Sequence, residues 1–166
     1  MWAEPSFFSM IPFLSSQQLL DACGLFLMMA GFIIGLGAVT IIDIHGFLAR
    51  KSPHWTEATT HAHKVTKPLI WVGIFLAILG GTILYRDQAL SGIPLVHAAV
   101  ALVLVMNSCF VSFAVNPFLL KKEREGKGNE LLSQSWQRKI MISLIVSDIG
   151  WWGSLVLFVL YIAQRF

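Results

Sequence analysis

Charge is scarce in this chain. Only 13% of its 166 residues are Asp, Glu, Lys or Arg, against roughly a quarter in soluble domains, and none falls in the 21 residues from Ala22 to Ile42. At about 1.5 Å of rise per residue that run is long enough to cross a hydrocarbon core. The formal charge of +3 comes with Lys and Arg gathered in two short connections between apolar stretches, a pattern that membrane topology accounts for and nucleic-acid binding does not. Cysteine is also scarce: Cys23 and Cys109 lie in apolar stretches without CxxC spacing, so they read as small buried side chains rather than a disulfide. A phosphate-binding loop is missing, since GLGAV at 35–39 lacks the later glycine and the lysine such loops need. No Lys or Arg precedes the apolar residues of the N-terminal segment, which removes the positive region of a secretory signal.

What remains is an all-α polytopic membrane protein: a four-transmembrane-helix bundle over residues 18–166, preceded by an interfacial N-terminal segment, 1–17, with Trp2, Phe7, Phe8 and Phe13 at the lipid interface. The expected helices cover about 18–48, 55–85, 94–120 and 140–163. Small residues line one face of each. In the first, Gly24, Gly31, Gly35 and Ala38 recur at three, four and seven residues, a face that lets another backbone approach closely, with its partner expected inside the chain. Gly73, Gly80 and Gly81 do the same in the second helix, and Ser143, Ser147, Gly150 and Ser154 in the fourth. In the third, His97, Ala101, Val105, Ser108, Ser112 and Asn116 form a small polar stripe directed at other helices. Pro68 and Pro117 are expected to bend their helices.

The basic connections at 49–67 and 121–139 place those loops in the cytoplasm and both termini outside by the positive-inside rule. The chain is then integral to a membrane, with a bacterial inner membrane as the expected one.

Three groups of residues carry candidate chemistry. Asp148 falls about 12 Å into the last helix, where a carboxylate is costly without partners. Counting the same depth in the other helices brings Thr40 and Ser112 to its level, with Asp43 and Asn116 one turn nearer the cytoplasm and Lys67 near the mouth. This polar intramembrane cluster of Thr40, Asp43, Lys67, Ser112, Asn116 and Asp148 reads either as a proton or ion relay or as hydrogen bonding that fixes helix packing. Asp43, His45, Glu57 and His61 offer carboxylate and imidazole ligands for a transition metal, without a paired ExxH signature; the alternative is that the loop histidines are simply solvated. His45 and His97 are candidate axial ligands for haem b or a chlorophyll-type pigment, but at opposite ends, so they cannot share one macrocycle. Otherwise His97 is a helix-start histidine facing water or headgroups.

The stretches TIIDIHGF, TKPLIWVGIFLAILGG and SDIGWWGS together resemble small four-helix bacterial inner-membrane proteins. The resemblance implies the four-helix membrane architecture and carries over no functional residue. The reading favours a non-enzymatic subunit or accessory protein of a larger membrane complex, in contact with the lipid bilayer, other membrane subunits or a second copy of itself. The alternatives are a small haem, chlorophyll or metal-binding redox module for electron transport, and a proton-coupled transporter or ion pathway centred on Asp148.

Overall fold

The computed structural model describes residues 15–49, 55–127, 130 and 132–165, with the side chains at 43, 46–49, 55–63 and 165 excepted. Among these residues the chain is helical and contains no strand. Four helices are long and apolar enough to cross a membrane. They are α1 (Ser16–Ala49), α2 (Trp55–Leu84), a third made of α3 (Gly92–Phe110), a π turn (Val111–Val115) and α4 (Asn116–Arg124), and α5 (Gln134–Arg165). Of the expected interfacial segment, residues 1–14 lie outside the described residues.

Each boundary has a local cause. Ser15 and Gln18 form a capping box before α1: the Gln18 N–H donates to Ser15 Oγ at 3.2 Å and the Ser15 N–H to Gln18 Oε1 at 2.9 Å. Helix α2 runs through Pro68 without a break. Pro117 acts differently, because a proline ring crowds the carbonyl four residues back and supplies no N–H. The preceding five residues widen into the π turn, and the Asn116 N–H reaches the Val111 carbonyl. At the end of α4 the Lys127 N–H bonds the Lys122 carbonyl and the Gly126 N–H that of Glu123, with Gly126 at φ +70°; this is a Schellman stop, which demands a left-handed residue.

The third and fourth long helices extend further toward the basic connection than their apolar runs indicate, so the 121–139 segment is helical to Arg124 and again from Gln134. Side-chain packing holds these polar turns: Phe118 stacks on Trp136 with centroids 4.0 Å apart, and the Lys139 ammonium sits 4.9 Å from the Trp136 ring centroid. Val115, Leu119, Leu132 and Ile140 form a small core beneath them.

The main core is Met28, Phe32, Val39, Ile74, Leu84, Leu104, Trp151 and Phe158. Its tightest seam joins α1 to α2. A methyl group on Gly31 would lie 2.6 Å from the Ala77 nitrogen, one on Gly73 2.5 Å from Gly35 Cα, and one on Gly80 2.5 Å from the Met28 nitrogen. The partner of the α1 glycine face is thus α2. Gly81 meets nothing closer than 3.8 Å and stands beside this seam rather than in it. Cys23 is exposed and Cys109 half-buried, so Cys23 is not the buried side chain expected. On a helix apolar all round, composition does not distinguish inward from outward. Outward faces carry large apolar side chains throughout, among them Phe26, Ile33, Phe75, Phe113 and Ile149.

Candidate functional site

Where α2 turns into α3, Tyr85 follows the last residue of one helix and His97 lies in the second turn of the next. The tight connection, with Gln88 N–H bonded to the Tyr85 carbonyl and Gly92 at φ +56°, folds the two helices back on each other. Tyr85 Oη then lies 2.6 Å from His97 Nδ1. On the other side of the ring, His97 Nε2 lies 2.8 Å from the Ser154 carbonyl of α5. A carbonyl only accepts, so Nε2 carries a hydrogen. Burial first, and the neighbouring Tyr161 second, push the Tyr85 hydroxyl up to about 12, so it keeps its proton and donates to Nδ1. Both bonds are satisfied by a neutral imidazole, the form a buried site with no net charge favours.

His97 is 6% exposed and does not face water or headgroups as a helix-start histidine would. Phe32 stacks on it at 6.4 Å, and Tyr161 meets Tyr85 edge to face at 4.7 Å. The Tyr161 hydroxyl donates to the Leu84 carbonyl at 3.2 Å and accepts from Gln88 Nε2 at 2.7 Å. At the rim, Arg86 Nη1 donates to Asp21 Oδ1 at 2.7 Å and to the Ile83 carbonyl at 2.9 Å, while its Nε faces Asp87 at 3.2 Å. The bond to Asp21 holds the guanidinium above its ordinary range.

These groups stand at a cavity of about 360 Å³ between α2 and α3. Its walls are mainly apolar, with Met28, Phe32, Ile74, Ala77, Pro94, Ala98, Ala101 and Leu104 among them. Exposed residues Ile78, Thr82, Leu90 and Ala98 border it, so it opens on the side of the bundle. Trp151 lines it too; that residue is 1% exposed, and its indole N–H has no hydrogen-bond partner among the described residues. Thr82 contributes little polarity, because its hydroxyl is spent on the Ile78 carbonyl.

A second cavity of about 40 Å³ lies toward the basic end and brings Lys67 and Ser112 together with Trp71, Asn107, Ser108, Ser143 and Ser147. Of the remaining expected cluster, the Thr40 hydroxyl bonds its own helix at the Leu36 carbonyl, and half-buried Asp148 lines neither cavity. Asn116 lines neither, and its Oδ1 is buried with no hydrogen-bond partner among the described residues. The Asp43 side chain lies outside the described residues.

Of the expected metal ligands, His45 is exposed with Nδ1 3.3 Å from the Ile41 carbonyl. The side chains of Glu57 and His61 lie outside the described residues. Among those described, no three His, Cys, Asp or Glu side chains converge. Axial ligation by His97 would require its Nδ1 to leave Tyr85 or its Nε2 to leave Ser154. Tyr85, Trp151 and Asn107 were not read as site residues from the sequence. The first had a usable signal, a polar aromatic at a helix end twelve residues before a histidine across a tight turn. Comparison with known proteins returned no matching family model, curated protein or solved structure.

Proposed function

We propose that this chain is a non-enzymatic, membrane-inserted binding protein, an accessory component of a larger membrane assembly, that takes a neutral lipophilic molecule into the groove between α2 and α3. The observation that carries the reading is the groove itself: about 360 Å³ of side-opening, mainly apolar space in which, among the described residues, Thr82, Tyr85, Arg86 and His97 are hydrogen-bonded and the Trp151 indole N–H is not. Charge selects the class of ligand. Arg86 is already met by two carboxylates, so among the described residues the rim offers no free cation to an anionic headgroup and no free carboxylate to a cation. An apolar body bearing a hydrogen-bond acceptor such as a ketone, ester or quinone carbonyl suits the walls and the unpaired Trp151 N–H.

Four spans of sufficient length, with large apolar residues on their outward faces, support membrane insertion. The positive-inside rule puts the α2–α3 turn outside, so the groove faces the outer leaflet of what we take to be a bacterial inner membrane.

The test is native mass spectrometry of the particle released from mild detergent, with solvent extraction of what it retains. A neutral lipophile carried by the wild type and missing from Ala101→Phe, which fills the groove, is the expected result. Equal retention by both proteins overturns the assignment of the groove, and the intact mass reports whether other subunits accompany the chain. An absorption spectrum from about 350 to 900 nm of the same particle tests the redox reading, since a pigment band lost in His45→Ala or His97→Ala would replace the lipophile with a tetrapyrrole.

A further inference from the structure

The small cavity at the basic end has a donor set of one sign. The hydrogen bonds around it pair off some groups and leave others. Asn107 and Ser143 satisfy each other across α3 and α5: the Ser143 hydroxyl donates to Asn107 Oδ1 at 2.8 Å, and Asn107 Nδ2 donates to the Ser143 carbonyl at 3.0 Å. The Trp71 N–H donates to Ser112 Oγ at 3.2 Å, which leaves the Ser112 hydroxyl hydrogen uncommitted. Lys67, Ser108 and Ser147 also line the space, and among the described residues none of the three has a hydrogen-bond or ion-pair partner. The ammonium has donors and no acceptor, while each hydroxyl has a hydrogen to give.

Charge points the same way. Lys67 is the one charged residue among those lining the cavity. It is half-buried where α2 enters its apolar run, so part of its hydration is lost and an opposite charge close by would be favoured. The volume, about 40 Å³, exceeds the roughly 10–15 Å³ a single water requires. It is far below what a lipid headgroup fills. Val39, Ile42, Ile70 and Leu144 close the rest of the wall with apolar surface.

We infer that this cavity binds one monatomic anion of halide size, held by the Lys67 ammonium and by the hydroxyls of Ser108, Ser112 and Ser147. The site is separate from the groove between α2 and α3 and shares no lining residue with it. The anion neutralises the Lys67 ammonium, and its contacts tie α2, α3 and α5 together where the π turn interrupts regular helix packing.

Trp71 provides the reporter. The full chain is placed in nanodiscs of phosphatidylcholine, which carries no net charge, and iodide is titrated against gluconate at constant ionic strength. Iodide quenches an indole only on contact. The expected result is a saturable component of quenching that is absent in Trp71→Phe and about tenfold weaker in Lys67→Gln, with both variants melting as the wild type does in gluconate alone. Binding of radioactive chloride, competed by iodide, provides a measurement independent of the indole: one site per chain, lost in Lys67→Gln and weakened in Ser147→Ala. Quenching that rises linearly in the wild type, with no bound chloride, overturns the proposal and leaves water as the occupant. Saturation that survives unchanged in Lys67→Gln overturns it as well.

Discussion

Helix α2 presents two faces to its neighbours, and they behave in opposite ways. Toward α1 it sets Gly73, Ala77 and Gly80 against Gly24, Gly31 and Gly35, and the backbones meet so closely that a methyl group added at Gly31, Gly73 or Gly80 would overlap main-chain atoms. Toward α3 it sets Ile74, Ile78, Thr82 and Tyr85, and a groove of about 360 Å³ remains. Neither face is less apolar than the other. The difference lies in side-chain size and in what the far helix supplies: small residues bring backbones together where lipid gives no hydrophobic drive, whereas branched and aromatic residues hold the helices apart and leave the space a ligand needs. One helix therefore anchors the hairpin and builds the pocket.

Substitutions separate the two behaviours. The largest effect is expected for Gly73→Ala, whose methyl group meets Gly35 Cα; a loss of about 3 kcal/mol is expected, the upper end of overpacking costs. Gly37→Ala provides the contrast on the same α1 helix, because nothing lies within 4 Å of the added carbon; it should gain about 0.5–1 kcal/mol from helix propensity. Reversible unfolding in mixed micelles measures both, and equal effects would break the comparison.

On the groove side, His97→Leu strands the Tyr85 hydroxyl, removes the side-chain bond to the Ser154 carbonyl and should cost about 1–3 kcal/mol. A smaller effect belongs to Tyr85. Its folded pKa, about 12, is above the ordinary 10 of an unfolded tyrosine, so the contribution is fully present below pH 10 and is lost as pH rises from there through 12. Tyr85→Phe should flatten that part of the stability profile and remove the late phenolate absorbance near 295 nm. The smallest effect is expected for Arg86→Gln, whose ion pairs with Asp21 and Asp87 are open to solvent; any change in melting should fade with added salt.

The glycine face of α1 was legible because three- and four-residue spacings survive in any helix, and α2 carried a matching set. The basic end was legible from the clustering of Lys and Arg. Depth counting placed Lys67 and Ser112 in one neighbourhood, where they share a cavity, but it placed Thr40 and Asp148 there too, and neither joins them. Counting fixes height along a helix and leaves its rotation open, and the rotation decides which side chains meet. The groove itself was illegible for a plainer reason. It arises where two helices fail to touch, and no residue pattern in either marks a contact that is not made. His97 illustrates the same limit, since its burial depends on Ser154, 57 residues away.

The π turn at Val111–Val115 has a consequence for how the third long helix is inherited and engineered. One additional residue in a turn offsets everything beyond it by about 100°. Residues 92–110 and 116–124 are therefore two half-helices in different phase, the first set against the later turns of α5 and the second against α2. A single deletion inside 111–115 would take out the residue that the wide turn absorbs, restore regular winding, and leave both Leu119 in its core and His97 where it is. An alignment of related chains that forbids a gap at this point would therefore match the wrong faces.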